Sequence, residues 1–143
     1  TLSFFATGIT VVATKYHSIL YGKTINSFSS LSLHPPLVLF SLDNKSSKLN
    51  IFKKSETITI NILSKKQQII SNNFAKKNPD WKDIEYDSLK NGNPIIKNCV
   101  SNLDCKIIDK LKKGDHIIFI CKVSQVINND KLKPLIYYNS KYF

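Results

Sequence analysis

The segment from Val100 to Ile127 constrains the fold more than any other part of this chain. Val100 to Lys110 and His116 to Ile127 read as two long strands, and Leu111-Lys112-Lys113-Gly114-Asp115 between them has hairpin length with a glycine at the turn. A long two-stranded ribbon is not stable alone and needs further strands against its apolar face. The remaining sequence supplies them. Ile9 to Thr14 (ITVVAT) is short, β-branched and preceded by Gly8. Leu20 to Phe28 carries Tyr21-Gly22, read as a turn, followed by Thr24-Ile25-Asn26 as a strand. Leu37 to Leu42 is an unbroken apolar run of the kind found in buried strands. Thr57 to Leu63 (TITINIL) alternates Ile58, Ile60 and Ile62 with polar partners, the period-two pattern of a half-buried strand. Pro134 to Tyr138 is the last strand.

Two helices interrupt this pattern. Ser46 to Lys54 places Leu49 and Phe52 at helical spacing, with Ser46 or Ser47 as the cap. Ser64 to Ala75 starts with Ser64 and has Gln67 three residues on, the spacing of a capping box, and directs Ile69, Ile70 and Phe74 at the core. From Lys76 to Pro94 the chain turns polar around two isolated anchors, Trp81 and Tyr86, and reads as a long surface excursion. There is no internal repeat and no linker. The expectation is one domain over residues 1–143, mainly β, a closed or Greek-key barrel with a few short helices on its rim.

The 143 residues are enough for one proper core, and hydrophobic residues at 42% argue against disorder. No apolar run approaches the ~20 residues that a helix needs to span a bilayer, so no membrane association is expected. The chain starts without Met and enters a strand by Gly8, which suggests that residues precede Thr1. The net charge of +11 comes entirely from lysine. Base readout leans on the bidentate arginine fork, which is absent, so the charge suits anionic small molecules better than nucleic acid. Cys99, Cys105 and Cys121 form no C-x-x-C pair and their odd number argues against a disulfide framework, which fits a reducing cytoplasm. Cys99 and Cys105 have the same parity and would share a core-facing side of one strand.

Function is written most densely in Thr24 to Phe40, TINSFSSLSLHPPLVLF. Thr24, Asn26, Ser27, Ser29, Ser30 and Ser32 crowd into nine residues and then lead into a core strand. Such a rack of short donors suits a polar, phosphorylated ligand, although a serine-rich turn has the same composition. Other chemistry is excluded. The four glycines are isolated, which removes a dinucleotide-binding or phosphate-binding glycine loop. His17, His34 and His116 lie far apart with no metal-binding spacing, and no nucleophile elbow is present. Asp104, Asp109 and Asp115 fit a solvated hairpin. A bound cofactor would have to carry any reaction.

Gly8-Ile9-Thr10-Val11-Val12, followed by Asn26-Ser27-Phe28-Ser29-Ser30-Leu31-Ser32-Leu33-His34-Pro35-Pro36-Leu37-Val38, resembles the flavin reductase-like family with the FMN-binding split barrel. The resemblance continues through Phe74-Ala75 and Gly114-Asp115-His116-Ile117-Ile118-Phe119-Ile120 and ends at Pro134-Leu135-Ile136-Tyr137-Tyr138. It covers nearly the whole chain in the family's order.

The resemblance implies an NAD(P)H-dependent flavin reductase, with FMN (or FAD) as hydride acceptor and NADH or NADPH as donor. It also implies a homodimer with flavin near the subunit interface and a monooxygenase partner that uses the reduced flavin; a non-catalytic flavin carrier on the same fold is the alternative. Residue by residue, it places Thr24, Asn26 and Ser27 along the isoalloxazine edge and Ser30 and Ser32 near the ribityl chain and phosphate. Ser41 to Lys48 becomes a second phosphate segment, with Ser47 as hydroxyl donor and Lys48 as cation where relatives often have arginine. His116 corresponds to the family histidine near flavin and nicotinamide, and Phe74, Tyr137 and Tyr142 would form pocket walls.

Overall fold

All residues from Thr1 to Phe143 are described in the structure, a computed structural model. Twelve strands form in chain order: β1 (Thr7–Gly8), β2 (Thr10–Tyr16), β3 (Ile19–Ile25), β4 (Ser29–Ser32), β5 (Leu37–Asp43), β6 (Thr57–Ile62), β7 (Tyr86–Ser88), β8 (Pro94–Ile96), β9 (Ser101–Lys113), β10 (His116–Asn128), β11 (Ile136–Tyr138) and β12 (Lys141–Tyr142). The helices are α1 (Leu49–Lys54) and α2 (Gln68–Ala75), the second entered through a 3-10 turn at Lys65–Gln67.

Seven strands make one antiparallel sheet in the order β3-β2-β6-β9-β10-β5-β4. Its two edges, β3 and β4, are consecutive in the chain and joined only by Asn26, Ser27 and Phe28. From Ile25 to Ser29 that connection reaches at most about 14 Å. The sheet therefore curls until its edges nearly meet, with no ladder between them. The result is a split barrel, as the sequence suggested.

The barrel interior holds Val12, Ile25, Val38, Phe40, Leu42, Ile58, Ile60, Leu103, Cys105, Ile107, Ile117, Phe119 and Cys121, and α1 closes one end with Leu49 and Phe52. Phe40 and Phe119 stack at 4.9 Å at its centre. A second cluster forms outside the barrel wall, where Ile9 and Val11 meet Leu63, Phe74, Ile96, Cys99 and Leu135. Both faces of β2 are thus buried, which explains its unbroken burial from Thr10 to Thr14.

Several sequence expectations change. Tyr21-Gly22 is not a turn but lies inside β3, paired with Thr14 and Ala13. The hairpin turns instead at His17 and Ser18, both at positive φ (49° and 66°), a conformation usually signalled by Asn or Gly. Gly22 is needed for packing: a Cβ there would lie 2.7 Å from the Phe74 ring. Neither Ser46 nor Ser47 caps α1, which begins after Lys48 without a side-chain cap. At α2 the expected reach-back is present, with the Ser64 N–H donating to Gln67 Oε1 at 2.9 Å. Ile69, expected in the core, is 82% exposed, while Phe74 is fully buried.

The polar face of β6 is not solvated either. Thr59 and Asn61 are completely buried because β8 lies over them, and they staple it in place. The Thr59 hydroxyl donates to the Pro94 carbonyl, and Asn61 Oδ1 accepts from the Ile96 N–H at 3.0 Å and from Asn102 Nδ2 at 2.7 Å. The excursion after α2 therefore contains the β7–β8 hairpin, with Trp81 packed between Phe74 and Tyr86. Cys99 precedes β9 and lies in the outer cluster, whereas Cys105 lies inside the barrel, so the two thiols do not share a strand face.

Candidate functional site

The outer wall of the barrel is covered unequally. Helix α2 and the β7–β8 hairpin lie over the β3-β2-β6 side. On the opposite side, alternation puts Val38, Phe40 and Leu42 of β5 inward and leaves Leu37, Leu39, Ser41 and Asp43 outward. On β10, Ile117, Phe119 and Cys121 face inward, and His116, Ile118 and Ile120 lie outward. Register pairs His116 with Asp43 and Ile118 with Ser41. A half-buried, partly apolar face thus surrounds a polar seam at Ser41–Asp43.

The crossing between β3 and β4 joins this seam. The Ser27 hydroxyl donates to the Ser41 carbonyl at 2.9 Å and accepts from the Ser41 N–H at 3.1 Å, which continues the β4–β5 ladder past its last strand residue. Ser27 and His116 therefore flank β5 on opposite sides, two residues apart along it. Strand spacings put them about 12 Å from each other. The chain then continues beyond Asp43 into Ser46–Lys48, where the Lys48 ammonium lies 5.8 Å from the centre of the Tyr21 ring. Ser27, Ser41 and His116 are accordingly gathered around one end of β5, with Asn26 next to Ser27 in the chain and Ser47 and Lys48 in the segment that leaves that end.

Ser30 and Ser32 point the register the other way. Ser32 pairs with Leu37, about 13 Å along β5 from Ser41. Ser30 and Ser32 thus lie along a different stretch of β5 from Ser41, which keeps apart the two segments that the resemblance distinguishes.

Thr24, Asn26 and Tyr137 are also brought together. With Ile9, Ile25 and Tyr142 they line a cleft of about 160 Å³ beside the barrel split. Its wall is braced from behind: the Thr24 hydroxyl donates to the Ser71 carbonyl at 2.7 Å, and Ser71 Oγ bonds Tyr142 Oη at 2.8 Å. Tyr137 and Tyr142 pack at a tilt, 5.2 Å apart. Phe74 is a correction: it is fully buried beneath Gly22 and Trp81, because the bare glycine lets its ring sink against β3, so it supports the wall and does not form it. Ser71, Tyr21 and Asp43 were missed, since each depends on a neighbour distant in sequence. Only hydrogen bonds across 47 and 71 residues reveal Ser71.

The hydroxyls of Thr24 and Ser27 are committed within the chain. The side chains of Asn26, Ser30, Ser32, Ser41 and Ser47 make no intramolecular hydrogen bond, and Lys48 has no carboxylate partner. Neutral donors of this kind with one free cation match the chemistry of a ribityl phosphate and a polar ring edge. At the far side of the seam, His116 Nδ1 and Asp115 Oδ1 lie 2.7 Å apart, and this bond holds the Asp115 carboxyl below the usual carboxylate range. An ionised Asp115 accepts a hydrogen bond from Nδ1–H, which leaves Nε2 as the ring nitrogen not engaged by Asp115. Asp43 completes a trio whose ligand atoms lie within 4.8 Å of one another. No helix is long and apolar enough to cross a membrane.

The chain is 33% identical over 144 residues to the reductase subunit of a flavin-dependent monooxygenase from Mycobacterium tuberculosis, across 99% of this chain and 77% of that protein. It is 32% identical to an FMN reductase (NADH) from Agrobacterium fabrum, across 90% of this chain and 74% of the relative. Its fold superposes on the NADH:FAD oxidoreductase of Streptomyces globisporus C-1027, solved with NAD and FAD fragments, with a TM-score of 0.94 at 28% identity, covering 99% of this chain and 87% of that one. The family described as Flavin reductase like domain matches residues 2–143, and the chain belongs to that family.

Proposed function

We propose that this protein is an NAD(P)H:flavin oxidoreductase, with FMN as acceptor (FAD being the other flavin of this class) and NADH or NADPH as donor, and that the reduced flavin is passed to a flavin-dependent monooxygenase. The observation that carries this reading is the set of unpartnered donors Asn26, Ser41, Ser47 and Lys48 along the barrel split. They lie in a fold shared with NADH-dependent flavin reductases.

When bound, the flavin supplies the ring that accepts hydride, which leaves the protein binding and orientation to perform. Lys48, steadied by the Tyr21 ring, provides a point charge for the phosphate, with the Ser47 hydroxyl beside it. Asn26 and the Ser41 hydroxyl offer hydrogen bonds along the polar ring edge, where negative charge grows in the transition state. Tyr137 and Tyr142 wall the neighbouring cleft, and the Thr24–Ser71–Tyr142 brace fixes that wall. Ser30 and Ser32, with free hydroxyls farther along β4, would offer further hydrogen bonds to the ribityl chain. His116, oriented by Asp115, presents Nε2 to the nicotinamide nucleotide.

Leu37, Leu39, Ile118 and Ile120 form a half-buried apolar strip around this seam, the kind of surface that a second copy covers; a homodimer would also close the site against water. Three free, buried cysteines support a cytoplasmic location. The test is NADH oxidation in air by the purified protein, with and without FMN. Flavin-dependent turnover is expected. Flavin binding without turnover would favour a carrier, and absence of flavin binding would refute the site.

A further inference from the structure

Away from the barrel split, Ser64, Lys65 and Lys66 face Lys131, Leu132 and Lys133 across a cleft of about 300 Å³. Its two walls come from segments nearly seventy residues apart, locked by backbone hydrogen bonds. The Lys65 N–H donates to the Lys133 carbonyl at 2.8 Å, and the Leu135 N–H donates to the Leu63 carbonyl at 3.0 Å. Ser64 and Pro134 form an isolated bridge between them, and Gln67 holds the Ser64 N–H. Next to the two walls in the chain, Leu63 and Leu135 are fully buried in the outer cluster and anchor both segments.

Four of the six residues that line this concave surface are lysines. None has a carboxylate within 4.0 Å; the only lysine ion pair in the molecule is Lys97–Asp87. No acidic side chain lines this cleft; the nearest carboxylates by position are Asp130, next to Lys131 in the chain, and Asp83 and Glu85 of the adjoining cleft, which shares Lys66 and Leu132. Like charges held close together without counter-ions repel one another, and a bound polyanion relieves that repulsion. The volume is at the small end of the range for ligand sites, about 300–1,000 Å³, and Leu132 adds an apolar surface beside the charges. That combination suits the phosphates of a nucleotide with its base against Leu132.

We propose that Lys65, Lys66, Lys131 and Lys133 form a second anion site that binds nucleotide phosphate groups, distinct from the seam at Ser47 and Lys48. The phosphates can belong to the hydride donor or to a separate nucleotide. The proposal does not depend on the reductase reading, because its primary measurement is binding.

Titration calorimetry of the flavin-free protein with pyrophosphate, and separately with adenosine 2′,5′-bisphosphate, tests it. The wild type is compared with Lys65→Gln/Lys133→Gln and with Lys76→Gln/Lys77→Gln, which removes the same charge beyond the end of α2. Affinity is expected to fall about tenfold in the first variant, and to stay within about twofold of wild type in the second. Neither glutamine variant should melt below the wild type, because these lysines are exposed and have no carboxylate partner, and relief of repulsion in the cleft can only raise the midpoint of Lys65→Gln/Lys133→Gln. Restoring charge in Lys65→Arg/Lys133→Arg should recover binding. Equal affinity in the two glutamine variants, or no binding by the wild type, would overturn the site. The source is read from KM: a selective rise for NADPH in Lys65→Gln/Lys133→Gln identifies the donor's 2′-phosphate, and unchanged KM for both donors with lost pyrophosphate binding identifies a separate nucleotide.

Discussion

Gly22→Ala probes how α2 is seated on the barrel. A Cβ at position 22 would lie 2.7 Å from both Cδ1 and Cε1 of Phe74 and 3.1 Å from Trp81 Cζ2. Carbon atoms pack comfortably at 3.5–4.0 Å, so the Phe74 ring must retreat by about 1 Å. It has nowhere to go alone. The ring is fully buried, shares its cluster with Ile9, Val11, Leu63, Ile96 and Leu135, and rests on Trp81 at a centroid distance of 4.7 Å. Overpacking of this kind costs roughly 1–3 kcal/mol, against about 0.5–1 kcal/mol gained by removing a glycine from a strand interior. The net expectation is a loss of about 1–2 kcal/mol, a sizeable share of the 5–15 kcal/mol typical of a domain. Urea unfolding would show it as a lower midpoint at unchanged slope. Adding Phe74→Leu removes the collision, so the double variant should be about 1 kcal/mol more stable than the two single penalties predict. Because α2 carries the Ser71 carbonyl that receives the Thr24 hydroxyl, FMN affinity should weaken with stability. An unchanged or raised midpoint in Gly22→Ala, or simple additivity with Phe74→Leu, would refute this account of the packing.

Lys48→Ala should weaken FMN about tenfold and riboflavin less than about twofold, since only FMN presents a phosphate; equal losses in equilibrium titrations would remove Lys48 from the phosphate site. Asp115→Asn should raise KM for the nicotinamide nucleotide more than it lowers kcat, because it releases Nδ1 of His116 without touching the flavin ring. The lowered Asp115 value means that the pairing stabilises the fold above the ordinary carboxylate value of 3.8, and that this contribution is lost as pH falls through the lower folded value. Titration of the Asp115 carboxyl by NMR in wild type and in His116→Gln checks the cause. Burial pushes Cys99 and Cys121 up to about 12 and Cys105 higher still, so a thiol reagent at neutral pH should label none of them before unfolding. The same shifts are fully stabilising below the ordinary value of 9.0 and are lost between that and about 12, so Cys→Ala variants should flatten the alkaline fall in stability.

The long hairpin β9–β10, the apolar β5 and the alternating β6 were legible because local patterning and tertiary environment agree there. Where they diverge, the sequence misleads. The Thr57–Leu63 alternation signals strand correctly but says nothing of what covers its polar face, and β8 arrives from thirty residues away to bury Thr59 and Asn61. Tyr21-Gly22 has turn composition, yet the glycine answers to Phe74, a contact no local window contains. At the site, the density of short donors around Asn26 was visible, as was the resemblance that named Lys48 and His116. Which of those hydroxyls are taken up by neighbouring carbonyls was not.

Sequence alone determined the antiparallel β class, because strand period and hairpin spacing are local properties, while the type of chemistry came through the resemblance carried by the Asn26–Val38 and Gly114–Ile120 blocks. Tertiary structure decided which donors stay free. Thr24 and Ser27 look like Ser41 and Ser47 in composition, but the first two give their hydroxyl protons to carbonyls brought near by the curl of the sheet. It also decided that four lysines from two distant segments share one cleft, since only the backbone bonds joining Lys65 to Lys133 and Leu63 to Leu135 bring those charges together against their repulsion.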